Sequence, residues 1–213
     1  MHKIYALLGG ACVGKDTVRK MLLESHEDLI EATSHTTRPM RATENGSEYY
    51  FIDTDTFMSM YEAGEFVETR TYKVVGDKPG EFETWYYGYS VEELEKKLKT
   101  GNILMIVDLQ GFKEFKAIYH KDCIGIYLNV DRDLRVRRYL ERDELNYKNV
   151  AECIRRIDDD DNRAFNGYED WVDYVIDTDN SEFSVKKIEE IIYGEWFYGN
   201  QKRRKWNFST ISR

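Results

Sequence analysis

Between an apolar run, Ile4-Tyr5-Ala6-Leu7-Leu8, and a segment with apolar residues at helical spacing, Val18-Arg19-Lys20-Met21-Leu22-Leu23, the chain carries Gly9-Gly10-Ala11-Cys12-Val13-Gly14-Lys15-Asp16-Thr17. The spacing fits G-x-x-x-x-G-K. In a strand, glycine loop and helix, backbone N–H groups curl around phosphate oxygens. The helix N-terminus adds a partial positive charge there and the lysine a full one. The stretch is therefore read as a phosphate-binding loop. One letter departs from the pattern: the hydroxyl residue that would follow the lysine and meet Mg²⁺ is replaced by Asp16, with Thr17 next. Asp16, directly or through water, and Thr17 both stay open as contacts to the metal.

A second set of charges follows. Arg38 and Arg41 flank a proline in the polar stretch Ser34-His35-Thr36-Thr37-Arg38-Pro39-Met40-Arg41. Proline makes this segment extended or turned. Two guanidinium groups there suit a second phosphate, since each grips oxygens bidentately. Taken alone, such a pair is more often two solvated surface arginines. Asp108 closes the apolar run Ile103-Leu104-Met105-Ile106-Val107, the mark of a central parallel strand with a carboxylate at its C-terminal edge. Arg132, Arg135, Arg137, Arg138 and Arg142 crowd one helical segment, and Arg155 and Arg156 the next.

These groups need elements to hold them. Strand, loop and helix take residues 3–25, and a short strand covers 29–33. Asn45-Gly46 is a turn signal, and Tyr49-Tyr50-Phe51-Ile52 reads as a strand after it. A short helix runs from Thr56 to about Tyr61, ended by Ala63-Gly64. Residues 65–72 alternate as a half-buried strand, 76–80 form a turn, and 82–87 return. Ser90 and Glu93 have the spacing of a capping box for the helix that ends near Thr100-Gly101. A helix over 110–119, a strand over 123–128, helices over 132–142 and 148–164, a strand over 174–177 and a helix over 182–193 complete the chain. Strands alternating with helices predict an α/β fold with a parallel sheet covered on both faces. A small β-rich subdomain, residues 34 to about 90, is inserted in it.

At 213 residues the chain is one domain with an insertion, long enough to bury a core. Charged residues make up 33% and hydrophobic ones 41%, a soluble globular balance rather than a disordered one. Net charge is −9, which argues against nucleic acid as a partner. The end is different: Lys202, Arg203, Arg204, Lys205 and Arg213 are basic, and without those five charges the body stands at −14. That tail is read as a disordered solubilising end. Cys12, Cys123 and Cys153 have no metal-like or disulfide-like spacing, which fits a reducing, cytoplasmic setting. No signal peptide and no run near the ~18 apolar residues of a membrane span is seen. The sequence sets no oligomeric state.

Five motifs now fall in order behind the loop: Ser34-x-Thr36-Thr37-Arg38-x-x-Arg41, Glu44-Asn45-Gly46-x-Glu48-Tyr49-x-Phe51, Phe66-Val67-Glu68, Tyr86-Tyr87-Gly88 and Asp108-x-Gln110-Gly111. Together they resemble guanylate kinases over residues 3 to about 192. The resemblance implies a P-loop kinase three-layer fold and transfer of a phosphoryl group from ATP to GMP with Mg²⁺. Core segments would be 1–33, 90–130 and 165–196, with a GMP-binding insertion at 34–89, a helical lid at about 131–164 and a basic tail at 197–213. Residues 9–17 would hold ATP. Ser34, Arg38, Arg41 and Tyr49 would hold the GMP phosphate, with Glu44 and Tyr89 counted in the same acceptor site. Glu68 would accept from guanine N1 and N2, Tyr87 would sit at the phosphate or base edge, and Asp108 would help place base or metal water. Lys15, Arg38 and the lid arginines Arg138, Arg142 and Arg156 would act on the transferring group.

Four features depart from that pattern: Asp16, Tyr89 where a small hydroxyl residue reads guanine, Ile106 where a second Asp is frequent, and a longer 69–86 segment. They suggest a divergent branch, with dGMP or another monophosphate as the rival acceptor. A non-catalytic protein-binding module of the same fold is the rival from another class. Lys15 and the many arginines argue against it. Asp158-Asp159-Asp160-Asp161 is read as a solvated helix face, because four consecutive acids point in different directions. His35 is given no catalytic part, and Cys12 is read as structural.

Overall fold

The computed structural model describes residues 2–40, 44–46, 49–75, 82–142, 147–177 and 179–194. Five parallel strands form the central sheet: β1 (Ile4–Leu8), β2 (Leu29–Glu31), β7 (Asn102–Ile106), β8 (Cys123–Asn129) and β9 (Tyr174–Asp177), in the order β2-β7-β1-β8-β9. β1 lies in the middle, with Ala6 beside Met105 on one flank and Gly125 on the other. All five of its residues are buried, as expected for a strand covered on both faces. Period-two alternation splits them. Ile4, Ala6 and Leu8 join Met105, Phe112 and Phe115 in one core, while Tyr5 and Leu7 join Val18, Leu22 and Ile188 in the other.

The covering helices follow from those faces. α1 (Lys15–Ser25) and α7 (Ser181–Tyr193) pack on the second core, and α3 (Val91–Leu98) and α4 (Leu109–Tyr119) on the first. Gly125 of β8 is needed for the fit of α4, since a Cβ there would lie 2.4 Å from the Phe112 ring. Ser90 stands at the N-cap of α3, but its side chain makes no cap hydrogen bond. Glu93 pairs with Lys97 one turn on, so no capping box forms. The caps are carried elsewhere. Asp53 accepts from Thr56 N at 2.7 Å ahead of α2 (Thr54–Glu62), and Asp108 from Gly111 N at 2.7 Å ahead of α4.

A second sheet, order β4-β3-β6-β5, comes from the inserted region: β3 (His35–Thr36), β4 (Tyr50–Phe51), β5 (Phe66–Val75) and β6 (Phe82–Ser90). β5 and β6 form a long antiparallel hairpin with a bulge between Phe66 and Glu68. The bulge sets the register that places Glu68 opposite Tyr89 and Arg70 opposite Tyr87. The 76–80 turn lies outside the described residues.

Two more helices, α5 (Arg132–Arg142) and α6 (Tyr147–Asp159), follow β8, and α6 runs into a π turn over Asp160–Ala164. The acidic run there is only in part the solvated face expected: Asp161 is exposed and Asp158 half-exposed, but the acids are paired with arginines. Arg132 pairs with Asp158 and Asp161, and Arg135 with Asp160 and Asp161. The physical reason is the neighbouring helix: α5 turns its arginines onto the end of α6, where the π turn changes the direction of successive side chains. No helix among the described residues is long and apolar enough to cross a membrane.

Candidate active site

β1 delivers the glycine loop at the carboxyl edge of the sheet, the place where open α/β sheets bind ligands. Gly9 has φ +142°, and a Cβ would sit 2.6 Å from the Leu128 carbonyl oxygen. Gly14 has φ +99° and stands at the N-cap of α1. Only glycine takes such backbone without strain. Lys15 bends back over the loop, and its Nζ donates to Gly9 O at 2.6 Å and Gly10 O at 2.9 Å. Burial lowers its pKa, against the attraction of Asp16 and Asp160.

α5 and the π turn lock onto this loop. Ala11 N donates to Asp160 Oδ2 at 2.6 Å. Arg135, a buried side chain, donates from Nη2 to the same oxygen at 2.9 Å and from Nε to Ala11 O at 3.0 Å. Arg138 donates to Cys12 O, Val13 O and Asp179 O. A carboxylate thus occupies a loop N–H of the kind that meets phosphate oxygens. Arg156 is exposed on α6, and the side chain of Arg142 lies outside the described residues.

The other half is a cleft of about 500 Å³ between α1 and the β5–β6 hairpin. Asp16 and Arg19 of α1 line one side, and Ser34, Glu44 and Tyr49 line the middle. Glu68, Arg70, Tyr72, Tyr87 and Tyr89 project from one face of the hairpin, and Asp108, at the head of α4, also lines the cleft. Arg38 is buried beneath it, with its Nη2 donating to Glu44 at 2.6 Å and its guanidinium 5.3 Å from the Tyr49 ring centroid. Burial works against its charge, but Glu44 and Tyr87 outweigh that and raise its pKa. Arg41 lies outside the described residues.

Glu68 is 6% exposed. Burial pushes its carboxyl up to about 7; Arg70 pulls it down and Asp108 adds to the rise. Arg70 Nη1 stands 3.4 Å from Glu68 Oε2, and Arg70 Nε donates to both oxygens of Asp108 at 3.1 Å. Tyr89 lines the cleft with its hydroxyl already engaged: the hydroxyl donates to Ile106 O at 3.1 Å and the ring packs against Phe115. Residue 106 therefore contributes its backbone carbonyl to the packing of Tyr89.

Of the residues predicted from sequence, Ser34, Glu44, Tyr49, Glu68, Tyr87, Tyr89 and Asp108 line one cleft with Asp16, and Lys15 and Arg138 meet at the loop. Thr17 lines a neighbouring depression with Asp16, Lys20 and Leu23 instead. Sequence reasoning misses Arg19, Arg70, Arg135 and Asp160. Arg70 carried a signal, being two residues from Glu68 on an alternating strand. Arg135 did as well, being three residues from Arg138 on one helix face. Asp160 carried none, because its partners come from α5 and the loop.

The sheet order, the glycine loop on its central strand and the cleft facing it define a P-loop kinase fold. A family model described as guanylate kinase matches residues 1–195. A guanylate kinase of Legionella pneumophila (strain Lens) is 28% identical over 192 residues, covering 89% of this chain and 84% of the relative. One from Geobacter metallireducens is 29% identical, covering 90% and 88%. The crystal structure of guanylate kinase from Anaplasma phagocytophilum superposes with a TM-score of 0.62 at 25% identity, covering 91% of this chain and 86% of that one. The chain belongs to the guanylate kinase family.

Proposed function

We propose that this chain is a nucleoside monophosphate kinase that transfers the terminal phosphoryl group of ATP to GMP. The observation that carries the reading is Glu68, a buried carboxyl group lining a cleft that also takes in Asp16, the residue after the loop lysine. Guanine brings N1–H and N2–H donors to such a group. Adenine brings an acceptor at N1 and leaves the carboxylate unpaired. Residues 9–17 hold ATP, with Lys15 turning from the loop carbonyls to the phosphates. Ser34, Arg38, Arg41, Glu44, Tyr49 and Tyr87 form the seat of the GMP phosphate, and Asp108 the far edge of the base site. Residues 34–89 act as the acceptor subdomain and about 131–164 as the lid, with Arg138, Arg142 and Arg156 available to the transferring group.

Mg²⁺ would find a hard oxygen ligand in Asp16, in the first turn of α1 and at the cleft, whereas Thr17 lines the adjoining depression. When bound, the ion would neutralise charge on the donor phosphates. The protein's own work is positioning: two phosphates brought into line, arginines around the equatorial oxygens, and water excluded as the helices close. ATP has first to displace Asp160 from Ala11 N–H, which couples nucleotide binding to movement of α6. The reading is tested by ADP formation with ATP and Mg²⁺ against GMP, dGMP, AMP, CMP, UMP and dTMP, with Lys15→Ala as the blank. GMP or dGMP turnover lost in the blank supports it; preference for another base removes Glu68 from a guanine site.

A further inference from the structure

We propose that Arg19 of α1 binds the phosphate of the acceptor nucleotide, its guanidinium leaving Glu31 to grip phosphate oxygens on the α1 side of the cleft. The proposal rests on the acceptor reading above and adds to it a residue that lies outside every motif of the sequence.

Transfer needs the acceptor phosphate in line with the terminal phosphate of the donor, which the glycine loop and Lys15 hold at the head of α1. With the base held by Glu68 and Asp108, the acceptor phosphate therefore belongs on the α1 side of the cleft. Arg19 stands one helical turn past Lys15, on the same face of α1, and lines the cleft with Asp16 and Glu31. Its side chain is 31% exposed, against 4% for Arg38. Burial and Tyr87 raise the pKa of the Tyr49 hydroxyl, and Arg38 and Arg19 pull against them, so both cations act on that corner of the cleft. Charge points the same way. The described lining carries five acids, Asp16, Glu31, Glu44, Glu68 and Asp108, against two cations, Arg19 and Arg70, and a monophosphate enters with a charge of about −2. Arg70 is spread over Glu68, Asp108 and Glu114, and Arg38 gives Nη1 to Pro39 O and Nη2 to Glu44. Arg19 is held by groups that water reaches: Nη1 donates to Glu31 at 2.5 Å and Nη2 stands 3.5 Å from Asp16 Oδ1, with those carboxylate side chains 38% and 86% exposed. Trading a solvated carboxylate for a phosphate that the planar fork grips bidentately costs little and gains a stronger partner.

The plainer role for Arg19 is an ion pair that fastens α1 to the end of β2 through Glu31. The two roles separate in kinetics that compare GMP as substrate with guanosine, which lacks the phosphate, as its competitive inhibitor. Arg19→Met should raise the KM for GMP by about 10-fold or more, while the inhibition constant of guanosine and the KM for ATP move less than about twofold. Glu31→Gln breaks the same ion pair but leaves the guanidinium free for the phosphate, so it should lower the KM for GMP severalfold. The two variants thus act in opposite directions on one constant, which a fastening pair cannot do. Equal losses on GMP and guanosine, an unchanged KM for GMP in Arg19→Met, or a rise in Glu31→Gln to match it would overturn the proposal. Should Arg19→Met not fold, the direction of the Glu31→Gln effect decides alone. Absence of GMP turnover by the unaltered chain would overturn the acceptor reading and this proposal with it, whereas turnover that ignores Arg19 would overturn the proposal alone.

Discussion

Glu68 is the side chain on which the acceptor chemistry turns, and its ionisation gives the first prediction. With its pKa near 7 in the fold and 4.5 as the ordinary value, it holds a proton in the folded chain across that window. Stability from this group is therefore present below about 4.5 and lost as pH rises through about 7, because the unfolded chain releases the proton first. Glu68→Gln should shrink the difference in melting temperature between pH 5 and pH 8. A difference as large as in the unaltered chain would place its ionisation elsewhere. In catalysis the sign reverses, since only the carboxylate accepts from two N–H groups. The GMP kcat/KM should rise with pH to a plateau above about 7. Glu68→Gln should lower it by about 100-fold while the KM for ATP moves less than about twofold. Glu68 was legible through its motif. Arg70 was legible only through alternation along β5, and the burial that shifts Glu68 is absent from any one-dimensional pattern.

The elements differ in how much of them could be read. The strands of the central sheet announce themselves as apolar runs, because burial on both faces demands it. The caps are less transparent: Ser90 has the right spacing for a capping box, but Lys97 one turn on claims Glu93. Ser90→Ala should thus leave stability almost unchanged, and Asp53→Ala, which removes a real cap, should lower it measurably, in denaturant unfolding. Comparable losses would contradict this assignment of the caps. The acidic end of α6 is the largest departure, since its partners Arg132 and Arg135 sit more than twenty residues away in sequence and the turn that aims Asp160 is irregular. Asp160→Ala should lower stability without nucleotide by about 1–3 kcal/mol, because it frees Ala11 N–H and part of Arg135. It should also tighten ATP binding severalfold, since a competing charge leaves the phosphate site. Calorimetric titration with ATP checks this, and weaker binding would show that Asp160 assists the nucleotide rather than blocking it.

At the scale of the whole molecule, one sheet carries both halves of the reaction: β1 presents the loop and the end of β7 presents Asp108, with the inserted hairpin closing over them. The order of motifs along the chain made this architecture readable, but how α5 and α6 lean on the loop was not. Precision at Asp108 depends on how α4 seats on the sheet through Phe112 and Gly125. Gly125→Ala forces that ring aside and should cost about 1–3 kcal/mol in urea unfolding, with reduced GMP turnover as α4 shifts. Unchanged stability would mean the helix seats without that contact. The central claim is that the chain joins a P-loop donor site to a guanine acceptor site. Its most direct test is the initial rate of ADP formation from ATP with each of the six monophosphates, in the unaltered chain and in Lys15→Ala. The account predicts turnover with GMP or dGMP at least about 100-fold above AMP, CMP, UMP and dTMP, abolished in the variant. Equal rates across the bases, or rates that survive loss of Lys15, would contradict it.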